Sequence, residues 1–136
     1  RCGRRDGQGD LPPEPAWAPP TFTFSGIWEI QPAVLEERRA GGRAGDIQII
    51  DVREPAELTD ALGGIAGARL IPLSQLSSRL DEIDRTRPVV TVCRSGARSA
   101  QAVVLLQRLG VPDVANLAGG MLRWRAETSR AEPAGD

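Results

Sequence analysis

The chain has 136 residues, and its 17 basic residues, all of them arginine, nearly balance 18 acidic residues to give a net charge of −1. It contains no lysine, histidine or tyrosine, which excludes histidine-based nucleophile activation, histidine-ligated metals and lysine Schiff bases. The near-neutral charge argues against a nucleic-acid partner, and no apolar run is long enough for a membrane span or a signal peptide.

Residues 1–24 differ in composition from the rest of the chain. They contain five of the eleven prolines among glycines and charged residues, a composition that buries too little apolar surface to fold. We predict a tail or linker over residues 1–24, a folded domain over 25–130 and a flexible C-terminal tail over 131–136. Since the first residue is not methionine, we expect an excised, processed or fusion-derived piece with a fusion partner upstream of residue 1.

The domain contains several short apolar segments typical of buried strands. The two strongest, Ile47–Val52 and Val89–Cys93, are rich in β-branched residues and almost continuously hydrophobic, as strands covered on both faces should be. Ile27–Ile30, Arg69–Ile71 and Val114–Leu117 are weaker strand candidates.

Helical patterns separate these strands. Ser74 is a candidate N-cap for one helix, and Gly110 with Pro112 supplies a stop signal for another. The predicted helices are Pro32–Arg39, Pro55–Ala61, Ser74–Ile83, Arg98–Leu109 and Met121–Thr128.

Strands alternating with helices predict an α/β fold with a parallel sheet of about five strands and helices on both faces. Ligands of such sheets collect beyond the carboxyl ends of the strands. Asp51 and Cys93 stand near the carboxyl ends of the two strongest strands, so we expect both at one edge of the sheet.

The segment after Cys93 joins the strongest strand to the longest helix. None of Arg94 to Ser99 is proline, so their amides are available to form an anion-binding nest at a helix N-terminus. Such a site lowers the pKa of a thiol, and Cys93 is therefore the candidate nucleophile. A purely structural, buried cysteine would not explain the glycine and two arginines that follow it. Cys2 forms no Cys-x-x-Cys pair with it, which favours a reducing compartment such as the cytoplasm.

Four motifs in register resemble those of a single-domain rhodanese over roughly residues 27–128. They are Asp51-Val52-Arg53-Glu54-Pro55, then Gly67-Ala68 with Ile71-Pro72-Leu73, then Cys93-Arg94-Ser95-Gly96-Ala97-Arg98-Ser99, and finally Gly119-Gly120-Met121 with Trp124. The chain departs from the family pattern at Gly63-Gly64-Ile65-Ala66, where the family usually has Gly-His-Ile-Pro; this leaves the shape of that loop open.

The resemblance implies a thiosulfate sulfurtransferase with a rhodanese-like fold, no cofactor and no metal. Cys93 would take sulfur from a small anionic donor as a persulfide and pass it to a thiol or protein acceptor. The loop residues that would bind substrate are Arg94, Ser95, Gly96, Ala97, Arg98 and Ser99.

The resemblance also implies roles around that loop. Arg98 would point back to Asp51 and brace the loop, and Asp51 orients the loop rather than acting as a base, because a carboxylate beside arginine stays ionised. We expect Arg53, the other loop-supporting residue, and Glu54 to pair or cap near the following helix, with Pro55 in its first turn. Gly119 and Gly120 would permit close backbone approach, and Trp124 and Trp28 would pack in the core.

Other functions stay open. A dual-specificity phosphatase has a similar fold, but its loop has five residues between cysteine and arginine, whereas Cys93 and Arg98 enclose four. Arsenate reduction lacks a well-placed resolving cysteine. A rhodanese-like persulfide carrier or regulatory module of a larger protein is the remaining alternative.

Overall fold

The structure is a computed structural model that describes residues 21–22, 27–39, 47–59 and 61–128. Its strands are β1 (Thr21–Phe22), β2 (Trp28–Ile30), β3 (Gln48–Asp51), β4 (Arg69–Leu70), β5 (Val89–Val92) and β6 (Val114–Leu117). Its α-helices are α1 (Pro32–Arg38), α2 (Ala97–Arg108) and α3 (Gly120–Thr128), and short 3-10 helices form at Pro55–Thr59, Leu73–Gln75 and Ser77–Glu82.

These strands form one sheet in the order β1-β2-β6-β5-β3-β4. The five strands from β2 to β4 in this order pair in parallel, whereas β1 pairs antiparallel with β2. The predicted α/β fold with about five parallel strands is thus confirmed. The strand β1 lies inside the range predicted as a tail. The rest of residues 1–24, with Cys2, and residues 131–136 lie outside the described residues.

Alternate residues of each strand point to opposite sides of the sheet, and both sides are buried. One face packs against α2 and the 3-10 helices, and the other packs against α1 and α3. Trp124 is fully buried on the second face, as predicted, with Trp28 packed at its margin. No helix in the described part of the chain is long and apolar enough to cross a membrane.

The helix α2 ends where the sequence predicted. Gly110 adopts a φ of 92°, and its amide donates to Gln107 O while the Val111 amide donates to Leu106 O at 2.9 Å. This pair of bonds is a Schellman motif, which satisfies the last carbonyls of the helix and needs a residue that tolerates positive φ. The stop signal at Gly110 is confirmed.

Two predicted α-helices are 3-10 helices instead. Ser74 lies inside Leu73–Gln75 rather than at a cap, and the residue before that helix, Pro72, makes no side-chain cap hydrogen bond. The Ser78 hydroxyl donates to Gln75 O, which competes with the backbone pattern of an α-helix. The predicted apolar face is nevertheless correct, since Leu76 is fully buried in the core. Pro55–Ala61, likewise predicted as a helix, is the 3-10 helix Pro55–Thr59.

Candidate active site around Cys93

The turn between β5 and α2 depends on one glycine. Gly96 precedes the first residue of α2 and has a φ of 107°, a left-handed conformation in which a side chain is strained. A Cβ at this position would make only an ordinary contact, 3.5 Å from the Gly119 amide nitrogen, so the backbone conformation is what requires glycine. The turn reverses the chain tightly enough to bring the amides at the start of α2 back over Cys93.

The sulfur of Cys93 lies at the centre of this turn and accepts several hydrogen bonds. The amide of Gly96 is 3.1 Å from Sγ, and the amide and hydroxyl of Ser99 are each 3.3 Å from it. Cys93 as a residue is 1% exposed. Of the amides predicted to form a nest at a helix N-terminus, those of Gly96 and Ser99 thus converge on the sulfur atom itself.

These donors favour the thiolate. Burial raises the pKa of the Cys93 thiol, but hydrogen bonds from the Ser99 hydroxyl and from the amides of Ser99, Gly96 and Ser95 outweigh it, so the pKa lies below its ordinary value. Each of these bonds strengthens when the sulfur carries a negative charge. Hydrogen bonding by the loop thus lowers the pKa of the Cys93 thiol in a chain that has no histidine.

The other loop side chains point outward. Arg94, Ser95 and Ala97 are exposed, and Gly96 is half-buried. They therefore form the solvent-facing side of the loop that holds Cys93.

Arg98 has a different partner from the one predicted. Its guanidinium forms two bonds, of 2.7 and 2.8 Å, to the carboxylate of Glu57 in the first 3-10 helix. The hydrogen bond from Arg98 is the largest cause that lowers the pKa of Glu57, to about 2. The predicted pairing of Arg98 with Asp51 is wrong, because Glu57 presents both carboxylate oxygens to the guanidinium fork.

Asp51 is bound by Arg53 instead. The Arg53 amide donates to Asp51 Oδ1 at 3.0 Å, and its guanidinium donates to both carboxylate oxygens and to Gly63 O at 2.6 Å. Arg53 is fully buried and pairs with Asp51, so the expected pairing of Arg53 with Glu54 is wrong. The Glu54 amide donates to Glu57 Oε2 at 2.8 Å, so Glu54 does lie at the start of the following helix, as expected.

Through Gly63 O, the Asp51–Arg53 pair anchors the loop at residues 63–66, where the chain departs from the family pattern. Arg125 also donates to this region, to Leu62 O and Gly64 O.

The start of α3 is hydrogen-bonded to the two residues that follow β5. The Met121 amide donates to Cys93 O at 2.8 Å, and the Leu122 amide donates to Arg94 O at 3.0 Å. A Cβ at Gly120 would lie 2.5 Å from Cys93 O and 2.6 Å from Arg94 O. The predicted close approach at the glycine pair is confirmed, and it requires glycine at position 120.

The sequence analysis missed three residues beside the site. Glu57 neutralises Arg98, while Asn116 and Glu29 form a polar connection to Ser99. Asn116 carried a detectable signal, because it is a lone amide within the apolar strand Val114–Leu117, and buried amides need hydrogen-bond partners. Glu57 carried no such signal, since Asp51, the carboxylate in the recognised motif, was an equally reasonable partner for Arg98.

Comparison with known proteins agrees with this geometry. The sequence matches the rhodanese-like domain over residues 32–127. A sulfurtransferase of Allochromatium vinosum is 41% identical over 96 residues, which cover 71% of this chain and 86% of that protein.

Two further matches extend along most of the domain. The thiosulfate sulfurtransferase GlpE of Pseudomonas aeruginosa is 33% identical over 94 residues, 66% of this chain and 84% of that one. A crystal structure of a rhodanese-related protein from Thermoplasma volcanium superposes with a TM-score of 0.63 at 33% identity, covering 73% of this chain and 91% of that chain. This chain therefore belongs to the rhodanese-like domain family, whose relatives include sulfurtransferases.

Proposed function

We propose that the protein is a sulfurtransferase that moves sulfane sulfur from thiosulfate, or a similar anionic donor, to a thiophilic acceptor through a persulfide on Cys93. The observation that carries this proposal is the convergence of the Gly96 amide, the Ser99 amide and the Ser99 hydroxyl on Cys93 Sγ. Preorganised donors around a sulfur stabilise negative charge without a separate base. The thiosulfate donor is supported by the name of the Pseudomonas relative.

The reaction has two balanced steps. In the first, the Cys93 thiolate attacks the outer sulfur of thiosulfate, a new S–S bond forms, and sulfite leaves with the electron pair of the bond that breaks. The protein retains one sulfur atom and one negative charge on the outer sulfur of the persulfide. In the second, a thiophilic acceptor such as cyanide attacks that outer sulfur, and Cys93 leaves as a thiolate. The loop donors stabilise the charge in both steps.

Donor recognition falls to the entrance of the loop. Arg94 is exposed beside the sulfur, and we assign it the attraction of an anionic donor. The charge of Arg98 is compensated by Glu57, so Arg98 holds the loop more than it attracts the donor. The remaining substrate contacts are the amides of Ser95, Gly96, Ala97 and Ser99.

The test is the mass of the protein after incubation with thiosulfate. We expect the wild type and Cys2→Ser to gain the mass of one sulfur atom and to lose it on addition of cyanide, with thiocyanate as the product. Cys93→Ser should do neither. An unchanged wild-type mass would contradict the proposal, and a gain retained in Cys93→Ser would assign the chemistry to Cys2.

The rate of discharge to cyanide and an assay for phosphate hydrolysis separate the alternative functions. A protein that loads sulfur but discharges it slowly to cyanide would be a persulfide carrier for a protein acceptor, in keeping with a fusion partner upstream of residue 1. Phosphatase activity is disfavoured because only four residues lie between Cys93 and Arg98, and the amides of Gly96 in this segment and of Ser99 just after it are directed at one sulfur atom. Hydrolysis of an aryl phosphate should therefore be absent. A reducing compartment such as the cytoplasm suits this thiol chemistry.

A further inference from the structure

A row of polar residues crosses the sheet beneath the active-site helix. Glu29 of β2 pairs in register with Asn116 of β6, which pairs in register with Thr91 of β5. Period-two alternation puts all three on the face that α2 covers. Asn116 is 1% exposed and Thr91 is fully buried, so this row faces Ser99 in a part of the core that is otherwise apolar.

The hydrogen bonds of the row fix the orientation of the Asn116 amide. Its nitrogen lies 3.0 Å from Glu29 Oε2 and 3.3 Å from Gly96 O. Both of these groups only accept hydrogen bonds, so the NH₂ group of Asn116 must face them. The amide oxygen of Asn116 therefore points at the Ser99 hydroxyl, 2.5 Å away.

The Ser99 hydroxyl has one proton and two acceptors. It lies within hydrogen-bond distance of both Cys93 Sγ and Asn116 Oδ1, and Thr91 fixes the position of Ser99 by donating to its backbone oxygen at 2.9 Å. A single hydroxyl proton serves only one of two such acceptors at a time. Cys93 and Asn116 thus compete for it.

We propose that Asn116, oriented by Glu29, is a positioning residue that competes with Cys93 for the Ser99 hydroxyl proton and so sets how much of Cys93 is thiolate. When Cys93 is a thiol, its S–H donates to Ser99 Oγ and Ser99 donates to Asn116. When the thiol proton is lost to water, Ser99 turns its proton to Sγ, and Asn116 Oδ1 gives up that donor. Asn116 stabilises the thiol form of Cys93, because it draws the Ser99 proton away from the sulfur. The Ser99 hydroxyl stabilises the thiolate form, because it donates that proton to the sulfur.

Several charged groups lie around Cys93, Ser99 and Asn116, and the Ser99 and Asn116 variants described below leave these charged groups unchanged. Arg98 of α2 interacts electrostatically with Cys93 and with Asp51 of β3, and its own charge is paired with Glu57. Arg94 lies on the loop, and Asp51 is paired with Arg53. The inference rests on Cys93 being the nucleophile of the proposed function, but thiolate content is measurable without sulfur transfer.

The experiment measures the rate at which iodoacetamide alkylates Cys93 as a function of pH, in a Cys2→Ser background. Ser99→Ala removes the hydroxyl that donates to Cys93 Sγ. At pH values below the pKa of Cys93, we expect alkylation to slow about fivefold, because the loss of about one hydrogen bond lowers the fraction of thiolate by that factor. Asn116→Ala removes the competitor and should accelerate it by a similar factor. The double variant should match Ser99→Ala, because the competition acts only through the hydroxyl.

Further variants guard against a folding defect. Asn116→Leu keeps the side-chain volume and should accelerate alkylation as Asn116→Ala does. Glu29→Gln lies at the edge of the row and should act in the same direction more weakly, whereas Glu37→Gln, an exposed carboxylate of α1 across the sheet, should have no effect. Slower or unchanged alkylation in folded Asn116 and Glu29 variants would overturn the inference. Failure of thiosulfate loading would contradict only the proposed function and leave these rates interpretable.

Discussion

At the scale of single residues, hydrogen bonds and a paired charge surround Cys93 in a chain that has no histidine. The Cys93 sulfur receives two amides and a hydroxyl, and the arginine closest to the base of the loop is compensated by Glu57 through two short bonds. Bidentate pairs of this type hold a guanidinium in one geometry. Glu57 therefore contributes both to the shape of the loop and to its net charge.

We predict a pH-dependent contribution of Glu57 to stability. Its pKa falls from 4.5 to about 2 in the folded protein, chiefly because Arg98 donates to it. A group with a depressed folded pKa stabilises the fold fully above its unfolded pKa, and this contribution is lost as the pH falls through the folded value. Glu57→Gln should thus cost about 1 kcal/mol or less at pH 7, as half-exposed ion pairs do, and progressively less between pH 4.5 and about 2.

Urea denaturation at several pH values checks this. The matched control is Glu54→Gln, an exposed neighbour whose carboxylate lies outside the Arg98–Glu57 pair. If the stability difference between the wild type and Glu57→Gln stayed constant down to pH 2, the pair would not be ionic in the way the structure describes.

At the scale of elements, the geometry of the candidate active site depends on how closely α3 approaches the end of β5. The first amides of α3 bond to the carbonyls of Cys93 and Arg94, so the helix and the loop form one hydrogen-bonded unit. That contact is possible only because position 120 has no side chain. A helix packed in this way restrains the backbone that carries Cys93.

Gly120→Ala should therefore damage both stability and reactivity. A comparison with Gly67→Ala separates backbone strain from steric contact, because Gly67 also has a positive φ, 84°, but nothing lies within 4 Å of a Cβ placed there. We expect Gly67→Ala to cost about 1 kcal/mol, the usual strain of a left-handed residue. Gly120→Ala should cost at least about 2 kcal/mol more through the clash, and should slow sulfur transfer to cyanide.

Chemical denaturation gives both free energies, and thiocyanate release gives the rate. Equal destabilisation by the two alanines, with equal activity, would show that the approach of α3 to the loop is looser than the structure has it.

At the scale of the whole molecule, the sequence was sufficient for the architecture but not for the pairing of charges. Strands such as Val89–Val92 were predictable because β-branched, apolar runs have few alternatives, and Gly110 marked the end of α2. The 3-10 geometry around Ser78 depended on a local hydrogen bond that apolar periodicity does not report. The partner of Arg98 depended on tertiary distances between two carboxylates, Asp51 and Glu57, which motif order leaves undetermined.

The buried Asp51–Arg53 pair makes this tertiary dependence testable. It connects the end of β3 to Gly63 in the loop before β4, with Arg53 fully buried and its Nη1 atom without a hydrogen-bond partner among the described residues. Removing one member of a buried pair leaves an uncompensated charge and costs about 3–5 kcal/mol, whereas replacing both by neutral groups costs less.

We accordingly expect Arg53→Met to destabilise the protein strongly, and Asp51→Asn with Arg53→Met to recover part of that loss. A thermodynamic cycle from denaturation of the wild type, both single variants and the double variant measures the coupling. The coupling should be large because the two side chains share three hydrogen bonds between guanidinium and carboxylate. Additive effects would mean that Arg53 acts through Gly63 alone, and that the loop before β4 is held independently of the strand that leads to the active-site edge.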